Sequence, residues 1–403
     1  MPLKGLQQKI LIAPARPGQS CIFETAGLIP IIREVEKIMR GQAGQRSVIF
    51  RIFRTIMLII LIAVLAFALF IGYLTVTEYY PKAGTRETLT INSDNDSTLP
   101  SSGPIRVLTW NIGYGALGDN ADFFMDGGKG VNTASADRVK ENMSSILDTV
   151  SREDPDIIFL QEADVNSMRS HHVNEVQMFT EKFPDMEPFF AYNFKVPFVP
   201  FPFPPIGTVN SGIAILSSWH QTDAVREALP CPFSWPIRVA NLKRCLLITR
   251  IPAEDGKELV LVNLHLEAYD SGEGKVAQTK QLKELLESEA QKGNYVIAGG
   301  DFNQVFSSVD ISKYPAQEGK WQAGEIDVNE FSNDLQFLMD SSTPTCRSLD
   351  QPLEGADKET FQYYVIDGFI VSSNLEVKRF ETLDEGFVST DHNPVILEVE
   401  RVA

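Results

Sequence analysis

The chain is 403 residues long, room for one large domain with an appendage or for two domains, and it carries a net charge of −17. The charge is uneven: residues 1–55 hold nine Lys and Arg against three acids, a net +6 that leaves −23 for the remainder. So acidic a body is a poor non-specific binder of polyanions, which argues against a DNA-wrapping protein but not against an enzyme that meets phosphates through a bound metal.

The four cysteines, Cys21, Cys231, Cys245 and Cys346, show no CxxC spacing and no His partners at zinc-finger distances, so no zinc site is expected. If the body lies outside the cytoplasm, proximity in sequence allows a Cys231–Cys245 disulfide.

Residues 1–55 read as a basic cytoplasmic tail, with a short amphipathic helix over 29–39. Ile56 to Leu74 is an uncharged apolar run of membrane-spanning length. Arg46, Arg51 and Arg54 precede it, and Tyr73, Tyr79 and Tyr80 stand at its other end. The positive-inside rule then puts the N-terminus in the cytoplasm and the rest of the chain outside. A signal peptide is the rival reading, but the run is long and no A-x-A-like cleavage site follows. Residues 75–104, rich in Ser, Thr, Asn, Asp and Pro, read as a linker, and the folded domain is expected over 105–403.

Within that domain, Ile105 to Asn111 alternates as a strand does and delivers Asn111 at its end. Ser135 caps a predicted helix that runs to Glu153, with Val139, Met143, Ile146, Leu147 and Val150 at helical spacing. Asp156 to Leu160 is a buried strand ending at Gln161-Glu162. His171 and His172 fall in a predicted helix as surface or packing residues rather than ligands. Phe194 to Ile206 holds five prolines and four phenylalanines, which excludes a helix or a central strand. Such a stretch is either a rigid cover or an exposed contact surface, which in a membrane-anchored protein would touch lipid.

Further strands are predicted over 210–217, 245–251 and 258–266, the last carrying His265. A helix over 273–291 leads into the strand Tyr295 to Ala298. Gly299 and Gly300 let the backbone turn and leave room beside it, and Asp301 and Asn303 follow two positions apart. A carboxylate and an amide oxygen at a strand's carboxyl end suit a hard cation such as Mg²⁺; the plain alternative is an Asx turn. Tyr363 to Ser372 is a strand with one acid, Asp367, in an apolar run, where a carboxylate needs a partner. Asp391, His392 and Asn393 precede the last strand, 394–399.

Asn111, Glu162, His265, Asp301, Asn303, Asp367, Asp391 and His392 thus all fall at strand ends or just beyond. The segments around them, Thr109-Trp110-Asn111, Leu160-Gln161-Glu162, Asn263-Leu264-His265-Leu266, Gly300-Asp301-Phe302-Asn303, Val365-Ile366-Asp367 and Ser389-Thr390-Asp391-His392, resemble in kind and order the motifs of the endonuclease/exonuclease/phosphatase superfamily. That superfamily includes DNase I-like nucleases, neutral sphingomyelinases and inositol polyphosphate phosphatases. The resemblance spans 105–400. It implies an α+β protein, a four-layer α/β/β/α sandwich of the DNase I-like kind, here preceded by one transmembrane helix.

The resemblance also implies phosphoester hydrolysis that depends on Mg²⁺, with Mn²⁺ as a substitute. Glu162 would hold the metal with Asn111 beside it, and Asp391 would reach it too. Asp301 and Asn303 would position or activate the attacking water and hold the phosphate. His392, oriented by Asp367, would act as general base or phosphate ligand, and His265 would stabilise the phosphoryl oxygens or protonate the leaving group. The chain departs from the nuclease pattern at Val365-Ile366-Asp367-Gly368, where an Arg or Lys is usual, followed by an aromatic after the Asp. The loop 119–130 and the Pro/Phe stretch look like insertions of a subgroup. The leading expectation is a membrane-anchored phosphodiesterase acting outside the cytoplasm on a lipid head group or another envelope phosphoester. A surface-tethered nuclease acting on external DNA or RNA is the alternative. A non-catalytic binding module would need lost catalytic residues, and none is missing.

Overall fold

The computed structural model describes residues 30, 33, 48–90, 96–270 and 272–402. The helix expected over 29–39 and Cys21 lie outside them, residues 30 and 33 apart. The chain divides into two compact units, Met1–Ala68 and Leu69–Ala403.

Helix α1 (Val48–Val76) contains the apolar run and extends it at both ends. Its segment Phe50–Val76 is, among the described residues, the one helix long and apolar enough to cross a membrane. The expected linker is not all linker. Its residues Arg86–Thr88 form strand β1, and Leu99 is buried among core side chains. The backbone of β1 pairs with a sheet edge, which needs hydrogen-bonding groups rather than apolar side chains and so left no mark in the composition.

The body continues with β2 (Ile105–Asn111), α2 (Ala136–Glu153), β3 (Ile157–Asp164), α3 (Glu175–Lys182), β4 (Glu187–Val199), β5 (Gly207–Ser217) and β6 (Asp223–Ala228). Then come β7 (Cys245–Pro252), β8 (Glu258–His265), α4 (Glu273–Gln291) and β9 (Tyr295–Asp301). Short strands β10 (Gln304–Phe306), β11 (Gly324–Ile326), β12 (Leu335–Leu338), β13 (Cys346–Arg347) and β14 (Tyr363–Tyr364) precede β15 (Asp367–Ser372), β16 (Leu375–Thr382) and β17 (Val395–Arg401). The Ser135 hydroxyl accepts from Arg138 N–H and caps α2 as its sequence predicts.

Seven strands form one sheet in the order β1-β6-β7-β8-β9-β15-β12, and six form the other in the order β16-β17-β2-β3-β5-β4. Inner-face residues of both, among them Val107, Phe159, Ile215, Leu247, Leu261, Ile297, Phe369 and Leu397, make one shared core. The outer face of the six-stranded sheet packs against Val139, Met143, Ile146 and Val150 of α2. The outer face of the other packs against Leu282 and Leu286 of α4. This is a mixed α/β sandwich of four layers, helix, sheet, sheet, helix.

One local expectation holds and two are corrected. The Pro/Phe stretch is neither a helix nor a central strand: β4, at the sheet edge, runs through Phe194 and Pro197 to Val199, and residues 200–206 are the loop to β5. His171 and His172 sit in a turn with positive φ, not a helix; their rings contact Ala134 O and Asn166 Oδ1. Cys231 and Cys245 are free thiols. Cys245 belongs to the core between the sheets, its Sγ 3.1 Å from Asn193 Oδ1, while the Cys231 thiol faces Leu242 O.

At the far end of the seven-stranded sheet, Glu289 of α4 accepts from Arg250 of β7 at 2.7 and 3.2 Å, from Lys292 at 2.8 Å and from Asn294 at 2.7 Å. Burial pushes its pKa up, but these donors outweigh burial and hold it at about 2. The carboxylate therefore contributes stability that is complete above its unfolded pKa of 4.5 and is lost as pH falls through about 2. Glu289→Gln is expected to cost about 1–3 kcal/mol at neutral pH in urea unfolding, with the difference from wild type vanishing toward the acid end.

Candidate active site

The site is built where strands of both sheets end. In the seven-stranded sheet β8 and β9 run parallel and β15 antiparallel to β9, so His265 pairs in register with Asp301, and Asp301 with Asp367. Three ionisable side chains thus stand side by side on neighbouring strands. A Cβ at Gly300 would lie 2.0 Å from Leu264 O, so only glycine lets β9 come this close to β8 just before Asp301. In the other sheet, β2 and β3 run parallel and deliver Asn111 opposite Gln161. The ladder between β3 and β5 shifts register between Leu160 and Ala163, and Glu162 in that shift has φ +53°. This bulge re-aims Glu162, which strict alternation would not do. The turn ahead of β17 supplies Asp391 and His392.

Three of these residues converge on one oxygen of Asp301. Asp301 Oδ2 lies 3.3 Å from His265 Nε2 and 3.9 Å from His392 Nε2, and accepts from Asn111 Nδ2 at 3.1 Å. Its Oδ1 accepts from Asn303 N–H at 2.8 Å. His392 Nδ1 meets Asp367 Oδ2 at 2.8 Å, which leaves Nε2 facing Asp301. Asn111 also donates to Glu162 Oε1 at 3.4 Å, while its own Oδ1 accepts from Gly113 N–H. The Asn303 amide donates to Leu266 O at 2.9 Å, and Asn303 itself holds φ +51°. Left-handed conformations at two non-glycine residues of one site are strain of the kind that accompanies function.

Burial and crowding set the charges. Burial first, then the Asp367 charge, push Asp301 up to about 7, with His392, Asn303 N–H and Arg244 pulling the other way. Asp391 rises to about 6, mostly by burial and in part by Glu162. His265 falls well below the usual imidazole value through burial and the nearby Arg244 and His392. Burial also opposes a charge on His392, but Asp367 outweighs it and the pKa ends well above the ordinary value.

Two groups of side chains have ligand atoms within 4.8 Å of one another: Asp301, Asp367 and His392, and Cys346, Asp391 and His392. The Cys346 thiol is pushed up to about 12 by burial and is no ligand for a hard cation. Asp367 Oδ1 is buried without a hydrogen-bond partner among the described residues. Asp301 and Asp367 drawn together at His392, with one orphaned carboxylate oxygen, and Asp391 on the same imidazole supply oxygen donors that fit a divalent cation, while Glu162 belongs to neither group and joins the site through the Asn111 amide.

A family model described as endonuclease/exonuclease/phosphatase matches residues 108–392. The chain belongs to that family. A search of curated proteins finds no match. Among solved structures, an endonuclease/exonuclease/phosphatase from Beutenbergia cavernae aligns at 16% identity over 74% of this chain and 72% of its own, with a TM-score of 0.49. A family protein from Bacteroides thetaiotaomicron aligns at 18% over 74% and 96%, TM-score 0.48. The human Nocturnin catalytic domain with bound sulfate aligns at 19% over 78% and 97%, TM-score 0.46. As an endonuclease/exonuclease/phosphatase family member with these clusters, the chain is a metal-binding hydrolase equipped for phosphoester cleavage.

All eight residues expected from the sequence come to this one end of the family fold. Glu162 and Asp391 are linked through charge, Asn111 through its amide, and the other five through the contacts above. Sequence reasoning missed what holds them. Arg244, buried, donates to His265 O at 3.1 Å and lies 3.5 Å from Glu267. Arg169 grips Asp164 with two bonds of 3.0 and 3.1 Å and stacks 3.6 Å over the Tyr114 ring. Gln161 donates to Asn263 at 2.7 Å and ties the two sheets together directly beneath the site. Gln161 and Asn263 stand in the quoted motifs and were legible there; the two arginines lie in no motif.

Proposed function

We propose that this chain is a Mg²⁺-dependent phosphodiesterase, held to a membrane by α1 with its N-terminus cytoplasmic, that acts outside the cytoplasm on a lipid head group or another envelope phosphoester. The observation that carries the reaction class is the convergence of His265, His392 and Asn111 on Asp301, with Asp367 behind His392. The apolar helix and the acidic body support the membrane setting.

Glu162 and Asp391, with Asn111 beside them, would hold Mg²⁺, and Mn²⁺ would serve in its place. The ion, when bound, supplies charge neutralisation at the phosphoryl and leaving oxygens. Asp301, held near neutrality in pKa, accepts a proton from an attacking water and keeps it within reach of both imidazoles. Asp367 fixes the His392 tautomer so that Nε2 faces the reacting centre. His265, neutral, donates or accepts a hydrogen bond at a phosphoryl oxygen.

The test uses the full chain in nanodiscs with Mg²⁺, assayed on phospholipid, on bis(p-nitrophenyl) phosphate, on a phosphomonoester and on plasmid DNA. Phospholipid turnover is the expected result. DNA nicking without lipid turnover would make the chain a tethered nuclease instead. Titration calorimetry with Mg²⁺ accompanies it: Glu162→Gln is expected to weaken binding by about tenfold or more. Unchanged binding would remove Glu162 from the metal set.

A further inference from the structure

The loop between β4 and β5 leaves large apolar side chains in the open: Phe201 is 71% exposed and Phe203 93%. Across from it, the loop ahead of β7 exposes Trp235 (55%) and Ile237 (66%). The two loops adjoin, because Phe194, Val196 and Val199 at the end of β4 and Ile206 of the first loop pack with Ala240 and Leu242 of the second. Soluble surfaces scatter such residues singly; a cluster of four on two neighbouring loops marks a contact surface.

The last turns of α1 adjoin this surface. Phe70 packs edge-on against Phe198 with centroids 6.1 Å apart, and Trp235 Nε1 donates to Thr75 Oγ1 at 3.1 Å. Leu74 is buried there, while Leu69, Tyr73 and Val76 stay exposed. Just beyond, Tyr80 lies 4.0 Å under the Arg238 guanidinium, and Arg238 is paired with Glu78. Lys195 sits 4.5 Å over Tyr192. Apolar tips bordered by aromatic rings and cations form the sequence of layers that a bilayer surface accommodates. Depth agrees. The uncharged run of α1, Ile56 to Leu74, spans about 28 Å at ~1.5 Å per residue, close to a hydrocarbon core of about 30 Å. It ends among the turns that meet Phe198 and Trp235, so the exposed loops stand where the apolar run ends.

The same surface reaches the site. Phe201 packs edge-on against Phe124 at 6.1 Å. Two residues on, Asp126 accepts from Tyr269 O–H at 3.0 Å and from Leu349 N–H at 3.2 Å. Leu349 lies two residues beyond Arg347, whose backbone N–H donates to Asp391 O at 3.1 Å.

We propose that Phe201, Phe203, Trp235 and Ile237 insert into the bilayer surface beside the end of α1, and that they hold the Phe124–Asp126 rim of the active site at the lipid head groups. The contact surface stands on its exposed side chains and on its continuity with the apolar helix. Its consequence for the substrate rests on the lipid-phosphodiesterase reading.

The test places the full chain in nanodiscs of phosphatidylcholine and phosphatidylglycerol, with or without lipids brominated near the head of the acyl chain. The Trp235 signal is taken as the difference between wild type and Trp235→Phe, which removes the shared emission of Trp110, Trp219 and Trp321. Bromolipid is expected to quench that signal by about twofold or more, as an indole at the interface requires. Phe201→Ser combined with Phe203→Ser is expected to lower turnover of bilayer phospholipid about tenfold and to leave hydrolysis of soluble bis(p-nitrophenyl) phosphate within about twofold. An unquenched Trp235 in a protein still held by the disc would overturn the membrane surface. So would loss of a dimer in sedimentation on Phe203→Ser, which would assign the patch to a second copy. Quenching without lipid turnover keeps the surface and sinks the lipid substrate, so the two failures are separable.

Discussion

Asp301→Asn is expected to reduce hydrolysis of the true substrate by about 10²–10⁴-fold, the loss that follows removal of a positioned general base or a preorganised charge. The substitution keeps the size of the side chain and one acceptor oxygen, enough for the Asn303 N–H or the Asn111 amide but not both, and it removes the charge, so the deficit should appear in kcat. Stability should move the other way. Burial and Asp367 raise the Asp301 pKa from 3.8 to about 7, so folding binds a proton that the unfolded chain has released. That cost is absent below the unfolded pKa and complete above about 7. In EDTA at pH 8, Asp301→Asn should therefore melt no lower than wild type. A variant that retains activity within about tenfold would take Asp301 out of the chemistry. One that loses activity and fold together would leave His392→Ala to carry the test, with the same expected deficit.

Asp367→Asn separates orientation from chemistry. The carboxylate touches His392 Nδ1 at 2.8 Å and faces Asp301 through the sheet register, so it works through its neighbours. Its amide is expected to lower kcat by about 10²–10⁴-fold with little change in KM, because it removes the charge that favours imidazolium and weakens the hold on one tautomer. The pH profile carries the sign. Against burial, Asp367 raises His392 well above its ordinary value, so the variant's histidine limb must shift to lower pH. If His392 acts as a base, that limb is lost as pH falls; if it binds phosphate as a cation, the limb is lost as pH rises. A deficit with no displacement of either limb would mean that Asp367 supports the backbone only.

The parts of this protein that were legible in sequence share a feature: each is a local pattern whose meaning does not depend on distant residues. The apolar run of α1 and the strand leading to Asp301 are continuous apolar stretches, and the capped helix α2 is a helical periodicity of hydrophobic side chains; each is read from its own residues alone. Edge strands were not legible. Arg86–Thr88 and Leu375–Thr382 are polar because one or both faces meet water, and they are strands only because a neighbouring edge offers hydrogen bonds. Pro197 excluded a central strand, and β4 lies at the sheet edge, where a missing N–H costs little.

The same division runs through the site. By itself the sequence determined which acids, amides and imidazoles fall at strand ends, and in what order along the chain. Only the tertiary structure decided that Asn111, His265 and His392, 111, 265 and 392 places along the chain, meet at one carboxylate oxygen. It also decided that a register shift aims Glu162, and that Arg244 and Arg169, unmarked in sequence, brace the strand ends. The physical reason is that chemical identity is carried by single residues, whereas pKa, orientation and a partner's distance arise from burial and from charges that other strands bring near.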